Sequence, residues 1–215
     1  MQRPAIDQLT SPHPGSRLLA WAGLLCGPLF AVALVLFALP WPDYRHAEHP
    51  PAVLGALGYP GSLAWNLIGY GLVGVLALLA AHGLYLALRD AKAGTAARVG
   101  ATLAMLAALA FIAQGVFPLD LTRAIDVGSS RRHVAVWNLW WIAAVAAVLA
   151  IAFGVRALRG WRTLVPVGIV VAVLMVCALL GEMATLGNGW RQRIALAAWF
   201  AWIAWASTLV RRAAR

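Results

Sequence analysis

The chain has 215 residues, is 63% hydrophobic and only 11% charged, and carries a net charge of +10. Soluble domains have about a quarter of their residues charged, so the composition excludes that class. In a soluble protein a basic excess would suggest nucleic acid. Here the arginines flank apolar runs, where they set topology and meet anionic lipid headgroups, so membrane lipids are the expected partners and nucleic acid is not.

Residues 1–17 form the first expected segment, a disordered cytoplasmic tail containing Pro4, Pro12, Pro14 and Gly15. Asp7 and the prolines lie where the apolar core of a signal peptide would follow a basic start, so none is expected. Six apolar runs follow within residues 18–210: Leu18–Leu39, Leu63–Leu88, Gly100–Leu119, Val134–Val155, Leu164–Ala184 and Ile194–Val210. Each is close to the roughly 20 residues that cross the hydrocarbon layer. Backbone amides in lipid need internal partners, so the runs are predicted helices. Ten-residue segments of alternating polarity, the mark of a membrane barrel, are absent. Residues 211–215 form a basic cytoplasmic tail. The expected fold is therefore an all-α, six-helix membrane bundle.

With the amino terminus assigned to the cytoplasm, eleven Lys and Arg fall inside and six outside. This bias predicts that both termini are cytoplasmic. Gly23 and Gly27 form a GxxxG on the first helix, and Gly71 and Gly74 a smaller notch on the second; such residues let helices approach closely in lipid. Pro28, Pro118 and Pro166 are expected to kink or end their helices. Trp199, Trp202 and Trp205 share one side of the last helix, where packing or lipid contact is the expected role. Cys26 and Cys177 fall within helices and are expected to pack as small apolar residues.

The polar residues are distributed unevenly. Asp43, Glu48, Asp120, Asp126, Glu182, His46, His49 and His133 lie at or near the outer helix ends, as do Asn66, Gln114, Asn138 and Gln192. Ionisable groups beside apolar helices pair, line a wet cavity or act, so an outward-facing polar pocket is predicted. Three segments carry it: Pro40–Gly55, Phe117–His133 and Gly181–Arg193. They contain no HExxH, GxSxG or Gly-rich phosphate loop. His46-x-x-His49 has two possible metal ligands, but a loop ending in Pro50 and Pro51 supplies no helix to present both; no metal or cofactor is assigned. Asp120 and His133 lie across one hairpin, close enough in sequence for an Asp–His pair. Such a pair could orient a general base or pin two helices. Glu182, if embedded, needs a partner such as Arg191, Arg193 or His133; it could relay protons, catalyse, or form a structural salt bridge. Asp120, His133 and Glu182 are the candidate catalytic residues. Asn66, Gln114, Asn138 and Arg193 are the candidate substrate-binding residues, with Arg193 as anion partner and Asn66 as positioner.

The stretches His49–Gly55 (HPPAVLG) with Asn66, Phe117–Asp120 (FPLD) with His133, and Gly189–Arg193 (GWRQR) resemble the bacterial and archaeal membrane family named domain of unknown function 998. The similarity covers nearly the whole chain from Leu18. It implies a six-helix integral membrane fold and a multi-pass protein of a bacterial inner membrane, with no established activity. Many members carry serine where this chain has Ala52, which argues against a serine nucleophile in that loop. Three functions remain open: a protein that binds or modifies a lipid-like or amphiphilic substrate, a non-catalytic scaffold or accessory subunit, and a small transporter or channel subunit. The last would need polar residues continuing to the midplane, whereas the third, fourth and sixth helices are apolar there.

Overall fold

A computed structural model describes residues 14–181 and 186–213 of the chain. Among them six helices are long and apolar enough to cross a membrane: α1 (Pro14–Ala38), α2 (Ser62–Asp90), α3 (Thr95–Val116), α4 (Gly128–Val155), α5 (Leu164–Leu180) and α6 (Asn188–Ala213). The fold is all-α, as the apolar runs required. Several ends differ from the sequence expectation. The helix at the amino end begins at Pro14, inside the expected tail; proline is favoured in a first turn because its missing N–H is one of the donors left over there. The third helix stops at Val116, just before Pro118. The fourth begins at Gly128, so His133 lies more than a turn inside it. The fifth ends at Leu180, followed by Gly181 in the left-handed conformation (φ 99°) that favours glycine. The last runs through Arg211 and Arg212 to Ala213, with Arg211 over the Trp21 ring at 3.7 Å.

Successive helices pack side by side, and α6 returns to contact α1 and α2, closing a ring. Lipid tails are as apolar as leucine, so helices in a membrane associate by close packing more than by water exclusion. Small residues make that packing possible. A Cβ on Gly100 would lie 2.8 Å from the backbone nitrogen of Ile151 and 2.9 Å from the Ala147 carbonyl, so α3 and α4 touch backbone to backbone. On the GxxxG of α1, a Cβ at Gly23 would collide with Ser207 of α6, and one at Gly27 would meet Phe200 at 3.1 Å. The helix continues through Pro28. Gly74 faces Ile112 of α3 in the same way, whereas Gly71 meets only its own helix.

The centre of the ring is aromatic. Phe30, Phe111, Trp140, Trp199 and Phe200 form a continuous set of ring contacts with centroids 5.0–6.3 Å apart. Trp199 and Trp202 are therefore core residues, and Trp205 donates to Thr163. Cys26 is buried, Cys177 is half-buried, and both are free thiols. Large aliphatic and aromatic residues such as Leu36, Phe153 and Val170 face outward, as lipid contact requires.

One irregularity falls in α2. Residues Asn66–Leu72 form a π-helical stretch between two α-helical ones. Such wider turns are rare and concentrate at functional sites. Here the stretch packs tightly against α3: a Cβ on Gly115 would lie 2.7 Å from the Asn66 carbonyl and 3.0 Å from Tyr70 Cβ.

Candidate functional site

The segments 39–61 and 117–127 and the approach to α6 meet at one end of the bundle, called here the polar end. The first loop organises it. Its 3-10 turn, Pro51–Gly55, is held by Asn66, whose amide nitrogen donates to the Gly55 carbonyl at 2.9 Å. The Leu57 amide donates to the Leu119 carbonyl at 2.7 Å, joining the first loop to the second. Gly189 and Trp190 at the start of α6 donate to the carbonyls of Glu48 and Ala47 at 3.0 and 3.1 Å. These are amides that a helix cannot satisfy internally, so the first loop caps the last helix. A side chain at Gly189 would collide with His46 and approach the His49 carbonyl to 2.7 Å, so glycine is required there.

Arg193 completes that union. Its terminal nitrogens donate to the carbonyls of His49 and Gly189 at 2.9 Å each, to the Tyr44 hydroxyl at 2.8 Å and to His46 Nδ1 at 3.1 Å. The guanidinium ties the first loop to α6. Burial pushes the Tyr44 hydroxyl up from its ordinary pKa, against the opposing effect of Arg193. Burial and then the Arg193 charge push His46 down. His49 Nδ1 accepts from the Arg45 amide at 3.0 Å. Both imidazoles thus use a ring nitrogen as an acceptor within the loop. Among the described residues no group of three His, Cys, Asp or Glu side chains is placed to hold a metal ion. Arg191 turns the other way. Its Nε and a terminal nitrogen donate to the Ala178 and Leu179 carbonyls at 2.9 and 3.3 Å, capping α5.

Asp120 and His133 do not form the pair that the hairpin suggested. The Asp120 carboxylate accepts from the Thr122 hydroxyl at 2.6 Å and the Thr122 amide at 3.0 Å, with Arg123 at 3.6 Å. The Thr122 hydroxyl, its amide and the Arg123 charge hold this carboxyl below its usual pKa. Its backbone is hooked by the buried Ser130 hydroxyl, which accepts from the Asp120 amide at 2.8 Å and contacts the Asp120 carbonyl at 3.2 Å. Asp120 therefore shapes its hairpin. The reason is local: a carboxylate two residues before a threonine closes an Asx-type turn on itself more readily than it reaches the next helix.

His133 is oriented by the backbone instead. Its ring, 5% exposed, places Nδ1 2.9 Å from the Phe117 carbonyl and 3.3 Å from the Gln114 carbonyl. Both are carbonyls that the end of α3 leaves without a helical donor. Two acceptors at one nitrogen assign the proton to Nδ1, and the neutral ring then carries its lone pair on Nε2. Among the described residues nothing bonds Nε2. The ring borders a cavity of 220 Å³ whose other walls are Val134 and Trp137 of α4, Asn188 and Gln192 of α6, and Pro50, Ala52, Leu119 and Ile125 from the loops.

Beneath it lies a buried polar group of a different kind. Gln114 is fully buried, and neither its amide nitrogen nor its oxygen has a partner. Asn66 Oδ1 and the indole nitrogens of Trp65 and Trp140 are likewise buried and unpartnered. Tyr70 links the two regions, with its ring centroid 6.2 Å from His133 and 5.2 Å from Phe111.

The sequence candidates thus divide. Asn66, Gln114 and His133 gather around Tyr70 and Gly115 in the polar-end half of the bundle. Arg193 holds the first loop. Asn138 is exposed on α4 and accepts from Trp141 of its own helix at 3.1 Å, away from the cavity. Glu182 lies outside the described residues. Asn188 was missed by sequence reasoning. It is an exposed residue at the start of α6, and only its position beside Gly189 could have flagged it.

These features define a polytopic helical membrane protein whose loops build a roofed polar end. The chain belongs to the family described as "protein of unknown function (DUF998)", whose model matches residues 24–209. No curated protein and no solved structure matches it.

Proposed function

We propose that the 220 Å³ cavity binds the head of a neutral, hydroxyl- or amide-bearing amphiphile. The carrying observation is His133: a buried imidazole whose Nδ1 is held by two backbone carbonyls and which lines the cavity. Nε2 accepts a hydrogen bond from the head or takes a proton from it, as a general base oriented by carbonyls in place of a carboxylate. Gln192 and Asn188 supply amide donors and acceptors, and Trp137 offers an apolar wall. A few precisely placed polar groups on an otherwise apolar lining are the common pattern of small-molecule sites. Among the described residues the cavity is lined by no serine or cysteine, which favours binding or water activation over a covalent acyl step.

Monoolein is a suitable probe. Native mass spectrometry of the detergent-solubilised protein should show it retained by the unaltered chain and lost in His133→Phe with helicity unchanged. Equal retention by both would refute the proposal. The accessory-subunit reading has its own support, since Asp120, Glu48, His46 and His49 are all locally bonded. It predicts that His133→Phe changes nothing but partner association. A transport path is disfavoured by the closed aromatic packing of Phe111, Trp140 and Trp199.

The arginine count supports a polar end outside the cytoplasm, with both termini within. A cysteine introduced at the exposed Ala124 should react with an impermeant maleimide on intact cells. Labelling only after permeabilisation would invert the orientation.

A further inference from the structure

A second cavity lies on the α1 side of α6, around that helix from His133's cavity. It is a groove of 380 Å³ open between the two helices. Gly27, Ala31 and Leu34 form one wall, and Ala197 and Phe200 the other, with Arg193 at the end nearest the loops. The helices run antiparallel, so Leu34 lies at the Arg193 end and Gly27 beside Phe200 at the far end. At about 1.5 Å per residue, the stretch from Arg193 to Phe200 is about 10 Å long. That is an apolar channel with a cation at its mouth.

The cation is incompletely matched. The terminal nitrogens of Arg193 are fully engaged by His49, Gly189, Tyr44 and His46, all uncharged acceptors. Its Nε–H is buried without a partner. Among the described residues every ion pair involves other side chains, and none sets a carboxylate against this charge. A half-buried guanidinium held in place by neutral groups attracts an anion, and arginine is well suited to phosphate. An apolar channel beginning at such a charge, on a bundle surface that faces acyl chains, selects a particular kind of molecule.

We propose that the α1–α6 groove is a binding site for an anionic phospholipid, with its phosphate at Arg193 and one acyl chain along Leu34, Ala31 and Gly27. The site is independent of the His133 cavity. The anionic charge supplies what the first loop does not, and it strengthens the union of that loop with α6.

The test is native mass spectrometry of the full chain in detergent, titrated with dioleoyl phosphatidylglycerol and separately with dioleoyl phosphatidylcholine. One phosphatidylglycerol should be retained at least tenfold more strongly than phosphatidylcholine. Ala197→Trp, which fills the groove from an exposed position one turn along α6 from Arg193, should abolish that preference. Val170→Trp, on the exposed face of α5, should preserve it. Equal retention of the two lipids, or an undiminished preference in Ala197→Trp, would overturn the proposal.

Discussion

Replacing Gln114 by leucine should stabilise this protein. The side chain is fully buried, and both its amide atoms lack partners. A buried polar group left unsatisfied costs about 1–3 kcal/mol, so the two atoms together cost about 2–6 kcal/mol. Leucine is close in volume, and a near-isosteric core exchange costs less than about 1.5 kcal/mol. The net gain is therefore roughly 0.5–6 kcal/mol. The main-chain carbonyl that receives His133 is unaffected by the exchange. Unfolding in mixed micelles of increasing dodecyl sulfate fraction, followed by far-ultraviolet circular dichroism, measures the change. The midpoint should rise. A midpoint lowered by more than about 1 kcal/mol would mean that the amide is satisfied by bound water or ligand, and the reasoning would fail. A residue that costs stability at a fixed place against His133 points to selection for something else.

Other outcomes follow from the same geometry. Gly115→Ala places a methyl against the Asn66 carbonyl and should destabilise by about 1–3 kcal/mol in the same assay. Arg193→Gln removes the charge-assisted bonds to the first loop, each worth about 1.5–3 kcal/mol when fully formed. Hydrogen exchange at residues 44–49 should accelerate at least tenfold while the centre of α4 stays protected. His46 has a folded-state pKa below its ordinary value of 6.5, so the unfolded loop binds protons first as pH falls. The first loop's attachment should therefore be complete above pH 6.5 and weaken as pH drops from there toward the folded value. Protonated Nδ1 cannot accept from Arg193. Exchange rates in the first loop across pH 5–8 (corrected for intrinsic chemistry) measure this, and His46→Gln should flatten the profile.

The sequence displayed the spans because apolar runs of this length have one stable form in lipid. It displayed the GxxxG contact because only small residues let α1 reach Ser207 and Phe200. It did not display which side chains meet. These helices are apolar nearly all round, so no periodic stripe marks an inward face. His133 could be singled out as a buried histidine near a helix end, but its orienting partners are backbone carbonyls, which no sequence pattern distinguishes. Asp120 looked like its partner because the hairpin is short; Thr122 and Arg123 were nearer. Arg193 was one of three partners open to Glu182, which lies outside the described residues. Among the described residues its hydrogen bonds run to Tyr44, His46 and His49, about 150 residues away in the chain, a distance no local signal crosses. The π-helical turn at Asn66–Leu72 has no signature beyond its glycines.

The capping of α6 by the first loop has a bearing on how the protein is made. Chains emerge amino end first, so the first loop leaves the ribosome long before the helix whose amides it satisfies. Until the final span inserts, the carbonyls of Ala47 and Glu48 and the histidines around Tyr44 have no docking site. The His133 cavity lacks its Asn188 and Gln192 wall for the same interval. A chain truncated before residue 188 could thread five spans and still have no finished roof, so assembly of this end is a post-insertion event that closes the bundle from its last helix back to its first.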